Sequence, residues 1–398
     1  MSTTESSRAT PSLKDRRVGV LRRKGSDGKN RIAVDKPPPA FYWILVIVAC
    51  FVLLGLVMVL SSSSVTSLHT GDSAWDLFGK QALWAGVGAA VAWFMSSIPY
   101  NTWQRQAIIM VPTIAVALLN VMVIAKGRVI GGATAWLDLG LIQVQPSEFM
   151  KVMVILFAAN ILAKRHRAIA IKEIVLWPML MAMAITCALC IGQNDYGSAV
   201  IFAGTLFMMM VMAGLPKRQL VATGSGLAVL AVATLKFASR ASERLLAFLD
   251  LEGTKADHGY QVYQALLSIA NGGWSGTGIG AGTSKWGYVP LAHSDFIFAV
   301  IAEELGIFGT VMVIGGFLLL VLLGIQVALS ASDLYGAYIA GGVAAWFGIQ
   351  AIVNIGGVVG VLPMTGLTLP FLSYGGSSMI VSMAAVGLLL NVARFARR

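Results

Sequence analysis

A chain of 398 residues that is 57% hydrophobic and only 12% charged lies far from the soluble norm of about 25% charged residues. That composition excludes a soluble domain and leaves an integral membrane protein. The net charge of +11 raises nucleic acid as a partner, but the basic residues are placed as topology signals and no nucleic acid is expected.

Residues 1–39 are polar, basic and Ser/Thr-rich, and end in Pro37-Pro38-Pro39. They read as a disordered cytoplasmic tail, too long and polar for the start of a cleavable signal peptide. Residues 40–398 read as one polytopic domain. A spanning helix needs about 20 apolar residues, and ten stretches qualify, near 40–62, 78–97, 106–125, 147–163, 174–192, 197–214, 220–238, 294–326, 334–360 and 371–393. The predicted fold is therefore an all-α integral membrane protein. Cys50, Cys187 and Cys190 all fall inside apolar spans with no zinc spacing around them, so they read as packing residues.

With the N-terminus inside, the predicted cytoplasmic segments hold the tail, Arg105, the group Lys164, Arg165, Arg167 and Lys172, then Lys217 and Arg218, and finally Arg394, Arg397 and Arg398. The predicted external loops hold only Lys126, Arg128, Arg240, Arg244, Lys255 and Lys285. This positive-inside bias supports ten spans with both ends in the cytoplasm and a large external loop, 239–293, between the seventh and eighth.

That loop carries the chemistry. It combines Arg244, Asp250, Glu252, Asp257 and Lys285 with a glycine run, Gly272 to Gly282, and the aromatics Tyr260, Tyr263, Trp274, Trp286 and Tyr288. His293 and Asp295 follow at the mouth of the eighth span, with Ser294 or Asp295 a candidate helix cap, and of Glu303 and Glu304 further in, one is expected to face protein. Ionisable groups at membrane depth mark function or a buried pair. Glu148 and Lys151 share a helix face at i,i+3, and Asp195 interrupts an apolar run either as a cap or as part of a polar cavity. The stretch 354–378, with Pro363, Pro370 and a Ser-Tyr-Gly-Gly-Ser-Ser run, is too irregular for lipid contact and is expected to pack under the loop and shape the same cavity. There is no P-loop, HExxH or GxSxG triad. These residues alone leave an enzyme acting on a lipid-linked substrate and a transporter both open.

The runs QPSEFMK (145–151), HGYQ (258–261), GGWSGTGIGAGTSKWGYVP (272–290), HSDFIFAVIAEELG (293–306) and NIGGVVGVLPMTGLTLPFLSYGGSS (354–378) resemble the SEDS family of shape, elongation, division and sporulation proteins. The likeness extends over nearly the whole chain from residue 40, and its GYQ, SKWGYVP and SYGGSS runs are more similar to the division branch, of actinobacterial type, than to the elongation branch. The resemblance implies a glycosyltransferase that polymerises lipid II into glycan strands with inversion, at the outer face of the cytoplasmic membrane and at the septum. It implies dependence on a divalent cation, Mg²⁺ or Mn²⁺, at a site it does not locate. It also implies a class B penicillin-binding protein as partner, with other divisome membrane proteins. An acid on the large loop would act as base. The family's loop aspartate stands about five residues before the Gly-Tyr pair, and here that position is Thr254. The nearby acids are, in order of preference, Asp257, Asp250 and Glu252. Glu148, Lys151, Asp195, Arg244, Lys285, His293 and Asp295 are the expected substrate-binding residues. A lipid II flippase, an elongation-type polymerase and a non-catalytic scaffold are the rival readings.

Overall fold

The computed structural model describes residues 37–70, 74–130, 132–138, 140, 143–284 and 289–396. The expected tail up to residue 36 lies outside the described residues, as do Lys285, Trp286 and Tyr288. The first seven apolar stretches are helices: α1 Pro39–Thr70, α2 Ala74–Ser97, α3 Gln106–Lys126, α4 Pro146–Lys164, α5 Trp177–Gly192, α6 Tyr196–Met212 and α7 Lys217–Phe237. Proline opens α4 at Pro146, where its missing N–H costs nothing.

The segment expected as a loop is itself helical. It forms α8 Ser239–Leu249, the single turn α9 Leu251–Thr254 and α10 Tyr260–Gly272. After it come α11 Ile297–Ser330, α12 Leu334–Val358 and α13 Gly376–Arg394. The last helix begins five residues later than the apolar pattern suggests, because residues 371–375 turn, with Phe371 at φ 67°. Among the described residues eight helices are long and apolar enough to cross a membrane. α6 is shorter at 17 residues, and α2 carries Asp76 and Lys80 near its start.

A second feature beyond the sequence reading is a small antiparallel sheet between α3 and α4. Strands β1 Arg128–Ile130, β2 Ala133–Asp138 and β3 Gln143–Val144 run in the order β1-β2-β3, with Val129 opposite Thr134 and Leu137 opposite Val144. Arg128 and Asp138 close it with an ion pair at 2.7 Å. The Thr134 N–H donates to the Gln193 carbonyl at 2.9 Å, which ties the sheet to the α5–α6 junction.

The centre of the bundle is α4, α12 and α13. Trp346, Phe347 and Phe371 are buried there, with Phe347 and Phe371 edge-to-face at 5.2 Å. Helices in lipid gain little from apolarity and pack through small residues and polar contacts. A Cβ on Gly387 would sit 2.5 Å from the Ala92 carbonyl oxygen, so α2 and α13 meet backbone to backbone. Asn391 reinforces that seam by donating to the Met95 carbonyl at 2.7 Å and accepting from the Tyr100 N–H at 3.3 Å. Cys187 and Cys190 are buried and Cys50 is exposed, all as free thiols.

The glycine run has a structural explanation. α11 breaks at Gly306 (φ 63°, ψ −155°), freeing backbone carbonyls that must find donors inside a membrane protein. The glycine loop supplies them: Thr277 N–H donates to the Glu303 carbonyl at 2.9 Å and Gly278 N–H to the Glu304 carbonyl at 3.0 Å, while Ile307 N–H returns to the Gly273 carbonyl at 3.1 Å. Backbone this close leaves no room for Cβ. At Gly276 (φ 78°) a methyl would land on the Glu304 carbonyl. Both Glu303 and Glu304 are buried, not one alone. Glu303 accepts from the Thr283 N–H at 2.8 Å, the Thr283 hydroxyl at 2.6 Å and the Ser284 N–H at 3.0 Å, and Glu304 accepts from the Ser61 hydroxyl of α1 at 2.6 Å.

Candidate functional site

Polar groups scattered through the sequence converge on one cavity of about 1020 Å³, at the upper end of the usual ligand-pocket range of about 300–1,000 Å³. Its floor is built by the starts of α4 and α6, which bring Gln145, Glu148, Asn194 and Asp195. One wall is the irregular segment Gly360 to Gly376. The opposite side comes from α8 and the α9–α10 turn, with Arg240, Glu243, Arg244, Asp257 and His258. Pro290 to Asp295 and the small sheet complete it.

The wall segment is irregular backbone held by side chains. Gln350 Nε2 donates to the Thr368 carbonyl at 2.7 Å. Asn354 Nδ2 donates to the Leu367 carbonyl at 2.6 Å and to the Asp295 carbonyl at 3.0 Å. The Ser373 hydroxyl donates to the Ser294 carbonyl at 2.6 Å, and Gln81 Nε2 donates to the Ser373 carbonyl at 3.0 Å. The segment does shape the same cavity as the loop, as its prolines and glycines suggested.

On the floor, Glu148 is only 3% exposed yet lines the cavity. Lys151 Nζ donates to its Oε1 at 2.7 Å and to Gln350 Oε1 at 3.2 Å, and lies 5.4 Å above the Trp346 ring. Glu148 Oε2 has no hydrogen-bond partner. A buried carboxylate with one satisfied and one open oxygen is costly and suits a ligand donor or cation. Lys151 itself sits behind Glu148 and does not line the cavity. Asp195 caps α6 by accepting from the Ser198 N–H at 3.0 Å, and its other oxygen accepts from Gln145 Nε2 at 3.4 Å. The cap and cavity readings of Asp195 both hold.

Arg244 crosses from α8 to the far wall, donating to the Thr365 carbonyl at 2.7 Å. A methyl on Gly366 (φ 73°) would lie 3.3 Å from Arg244 Nη2 and 3.4 Å from Asp295 Oδ2, so both side chains border this glycine. Burial lowers the Arg244 pKa, the neighbouring Arg240 charge lowers it further, and Asp295 opposes both. Burial pushes the Asp295 carboxyl up to about 6 against the pull of Arg244. Burial lowers the His293 pKa, which favours the neutral imidazole; its ring packs edge-on to Tyr374 at 5.6 Å. Asn194 (φ 58°) and Leu291 (φ 57°) line the cavity in left-handed backbone, a strain that clusters at functional sites.

All three loop acids are exposed, and of them only Asp257 lines the cavity. Asp257 lines the cavity with His258 and Tyr260, in a turn where its carbonyl accepts from the Tyr260 N–H at 3.2 Å. Asp250 does not reach the cavity and caps α9, accepting from the Gly253 N–H at 2.9 Å. Glu252 is exposed and paired with Lys255 at 2.8 Å. Thr254 closes α9, its hydroxyl donating to the Asp250 carbonyl at 2.6 Å. Lys285 lies outside the described residues. Gln350 and Gln145 also serve the site, through Thr368 and Asp195. Gln350 was detectable as a polar residue inside the apolar run 334–360.

Comparison with known proteins fits this geometry. The "Probable peptidoglycan glycosyltransferase FtsW" of Geobacter metallireducens is 36% identical over 353 residues, covering 88% of this chain and 93% of that protein. The "Stage V sporulation protein E" of Bacillus subtilis is 35% identical, covering 89% and 97%. A chain solved in work on structural coordination of polymerization and crosslinking by a peptidoglycan synthase complex superimposes with a TM-score of 0.73 at 29% identity, covering 89% of this chain and 97% of its own. The family profile described as the cell cycle protein FtsW/RodA/SpoVE matches residues 41–398, and the chain belongs to that family of multi-pass membrane proteins.

Proposed function

We propose that this chain is a peptidoglycan glycosyltransferase that polymerises lipid II into glycan strands for septal wall synthesis. The observation that carries the reading is the shared cavity: Asp257 on the loop side lines the same space as Glu148 and Asp195 on the membrane side, in a family whose relatives include one named "Probable peptidoglycan glycosyltransferase FtsW". The cavity then faces the outside of the cytoplasmic membrane, with both chain ends on the cytoplasmic side.

In this mechanism Asp257 takes the proton from the acceptor sugar's 4-hydroxyl, and the freed oxygen attacks the anomeric carbon of the lipid-linked donor. The bond from that carbon to the pyrophosphate breaks on the opposite face, so configuration inverts. General base placement contributes about 10²–10⁴-fold. Arg244, bridging the cavity, stabilises the departing negative charge.

A divalent cation belongs to this reading, held by no more than two carboxylates of the floor and by the substrate's phosphates. Among the described residues no three His, Cys, Asp or Glu side chains converge on one point. Mg²⁺ binds through one or two carboxylates together with substrate phosphates, and Glu148 and Asp195 are the carboxylates the floor offers. Such a cation would neutralise developing charge on the pyrophosphate. A class B penicillin-binding protein is the proposed partner, within the divisome, because the chain solved in the peptidoglycan synthase work shares this fold.

The test is glycan synthesis from purified lipid II, with and without the transpeptidase partner. Asp257→Asn lowers the rate by about 10²-fold or more, whereas Asp250→Ala and Glu252→Ala remain within about twofold, since neither reaches the cavity. Excess chelator stops turnover. Full activity in Asp257→Asn removes the base assignment. Movement of a fluorescent lipid across vesicles without glycan favours the flippase reading, whose support is the buried Glu148–Lys151 pair.

A further inference from the structure

Helix α8 presents two faces of opposite character. Arg240, Arg244 and Ala247, spaced i, i+4 and i+7, line the cavity. On the other face Leu246 and Leu249 are 57% and 68% exposed. One residue, Ala238 (φ −108°, ψ 106°), separates α8 from α7. Phe237, at the end of α7, is 85% exposed, and the exposed Lys236 stands beside it. Only 6% of the apolar stretch of α7 is buried against protein, so its surface, with Val229 and Val232 exposed, belongs to lipid. The outer face of α8 continues that lipid-facing surface around a corner.

We propose that α8 is an interfacial lid, with Phe237, Leu246 and Leu249 seated in the membrane–water boundary and Arg244 latching the inner face shut on Thr365. A helix with an apolar stripe on one side and arginines on the other lies in the plane of the interface, its apolar side buried by about 5–10 Å. The exposed Lys236 at the same corner matches anionic headgroups. Contacts that hold the lid include the Arg244 hydrogen bond to Thr365, the Arg240 guanidinium packed against Gly132 in the β1–β2 turn, and Glu243 3.9 Å from His258. A swing about Ala238 that breaks the first opens the cavity sideways to lipid. The membrane placement stands on geometry alone; the lateral admission of a lipid-linked substrate rests on the glycosyltransferase reading.

The full chain, with Cys50, Cys187 and Cys190 replaced by Ala, is reconstituted in nanodiscs of phosphatidylglycerol and phosphatidylethanolamine and spin-labelled singly through Leu246→Cys, Leu249→Cys or Glu243→Cys. Labels at 246 and 249 become more accessible to oxygen than to a water-soluble nickel reagent, and the label at 243 shows the reverse. Labels at 246 and 249 that favour the nickel reagent, or that are shielded from both only when the transpeptidase partner is present, overturn the proposal. In the functional arm, the Leu246→Glu/Leu249→Glu double variant raises KM for lipid II by about tenfold with kcat within about twofold. Unchanged KM overturns the lid role. If the parent protein makes no glycan, the catalytic reading fails while the depth measurement still decides the membrane placement.

Discussion

α13 and α7 have the same mean hydropathy, 1.7, yet 83% of the apolar stretch of α13 is buried in the protein and only 6% of that of α7. Apolarity therefore places both in a membrane without deciding which one the bundle is built on. The difference lies in the other residues. α13 carries Ser377, Ser378, Ser382 and Asn391, all buried, and presents Gly387 flush against α2. In α7 only Gln219 and Thr223 are buried, and its Gly224 and Gly226 meet no neighbouring backbone. In lipid, close approach of small residues and satisfied polar groups drives association, and leucine against leucine is no better than leucine against an acyl chain. The rigid centre of α4, α12 and α13 holds the floor of the cavity, and the loosely packed α7–α8 edge holds its lid.

The contrast is broken most directly at Lys151. Lys151→Met leaves Glu148 buried without its cation and costs about 3–5 kcal/mol, read as thermal unfolding in detergent. Val229→Ala on α7, at a side chain 69% exposed, stays within about 0.5 kcal/mol. Equal losses would show that the floor is no firmer than the edge. A smaller effect is expected at the glycine clasp on α11. Gly276→Ala forces a side chain into φ 78° and against the Glu304 carbonyl, costing about 1–3 kcal/mol. Proteolysis after residue 272 would become faster as the loop lifts from the Gly306 break.

The most graded effect is that of pH at the meeting point of floor and lid. The Asp295 carboxyl is raised to about 6 in the folded protein, from an ordinary value of 3.8. The folded state thus binds this proton more tightly than the unfolded chain. The group's contribution is fully present below about pH 4 and is lost as pH rises through about 6. Asp295→Asn keeps the site neutral, so stability measured relative to the parent climbs between those values and levels off above them. His293 works in the opposite sense, since burial lowers its pKa from 6.5 and stability is lost as pH falls. A His293→Gln background isolates the aspartate. An Asp295→Asn difference that stays flat across the window would mean the carboxyl is not desolvated at the cavity.

Much of this was legible in the chain. The apolar runs located the helices because a bilayer demands about 20 apolar residues per crossing. Glu148, Lys151 and Asp195 stood out because charge at membrane depth is rare, and the prolines and glycines of 354–378 announced irregular backbone beside a cavity. The sheet at Arg128–Val144 was not visible, because strands of two to six residues carry too little period-2 pattern. The glycine run suggested a ligand loop, because its true partner, the break at Gly306, lies some thirty residues away. The three loop acids could be ranked, Asp257 before Asp250 and Glu252, but nothing local says which of them lines the cavity.

The sequence by itself determined a polytopic membrane protein and the residue types of a polar, acid-bearing site, because hydropathy and buried charge are properties of single segments. Only the tertiary structure decided that Asp257 and not Asp250 or Glu252 lines the cavity, that Glu148 keeps one open oxygen above Lys151, and that α8 spans the mouth through Arg244. Those outcomes depend on contacts between segments more than a hundred residues apart, such as Arg244 with Thr365 and Lys151 with Gln350, and such distances are set by how helices pack.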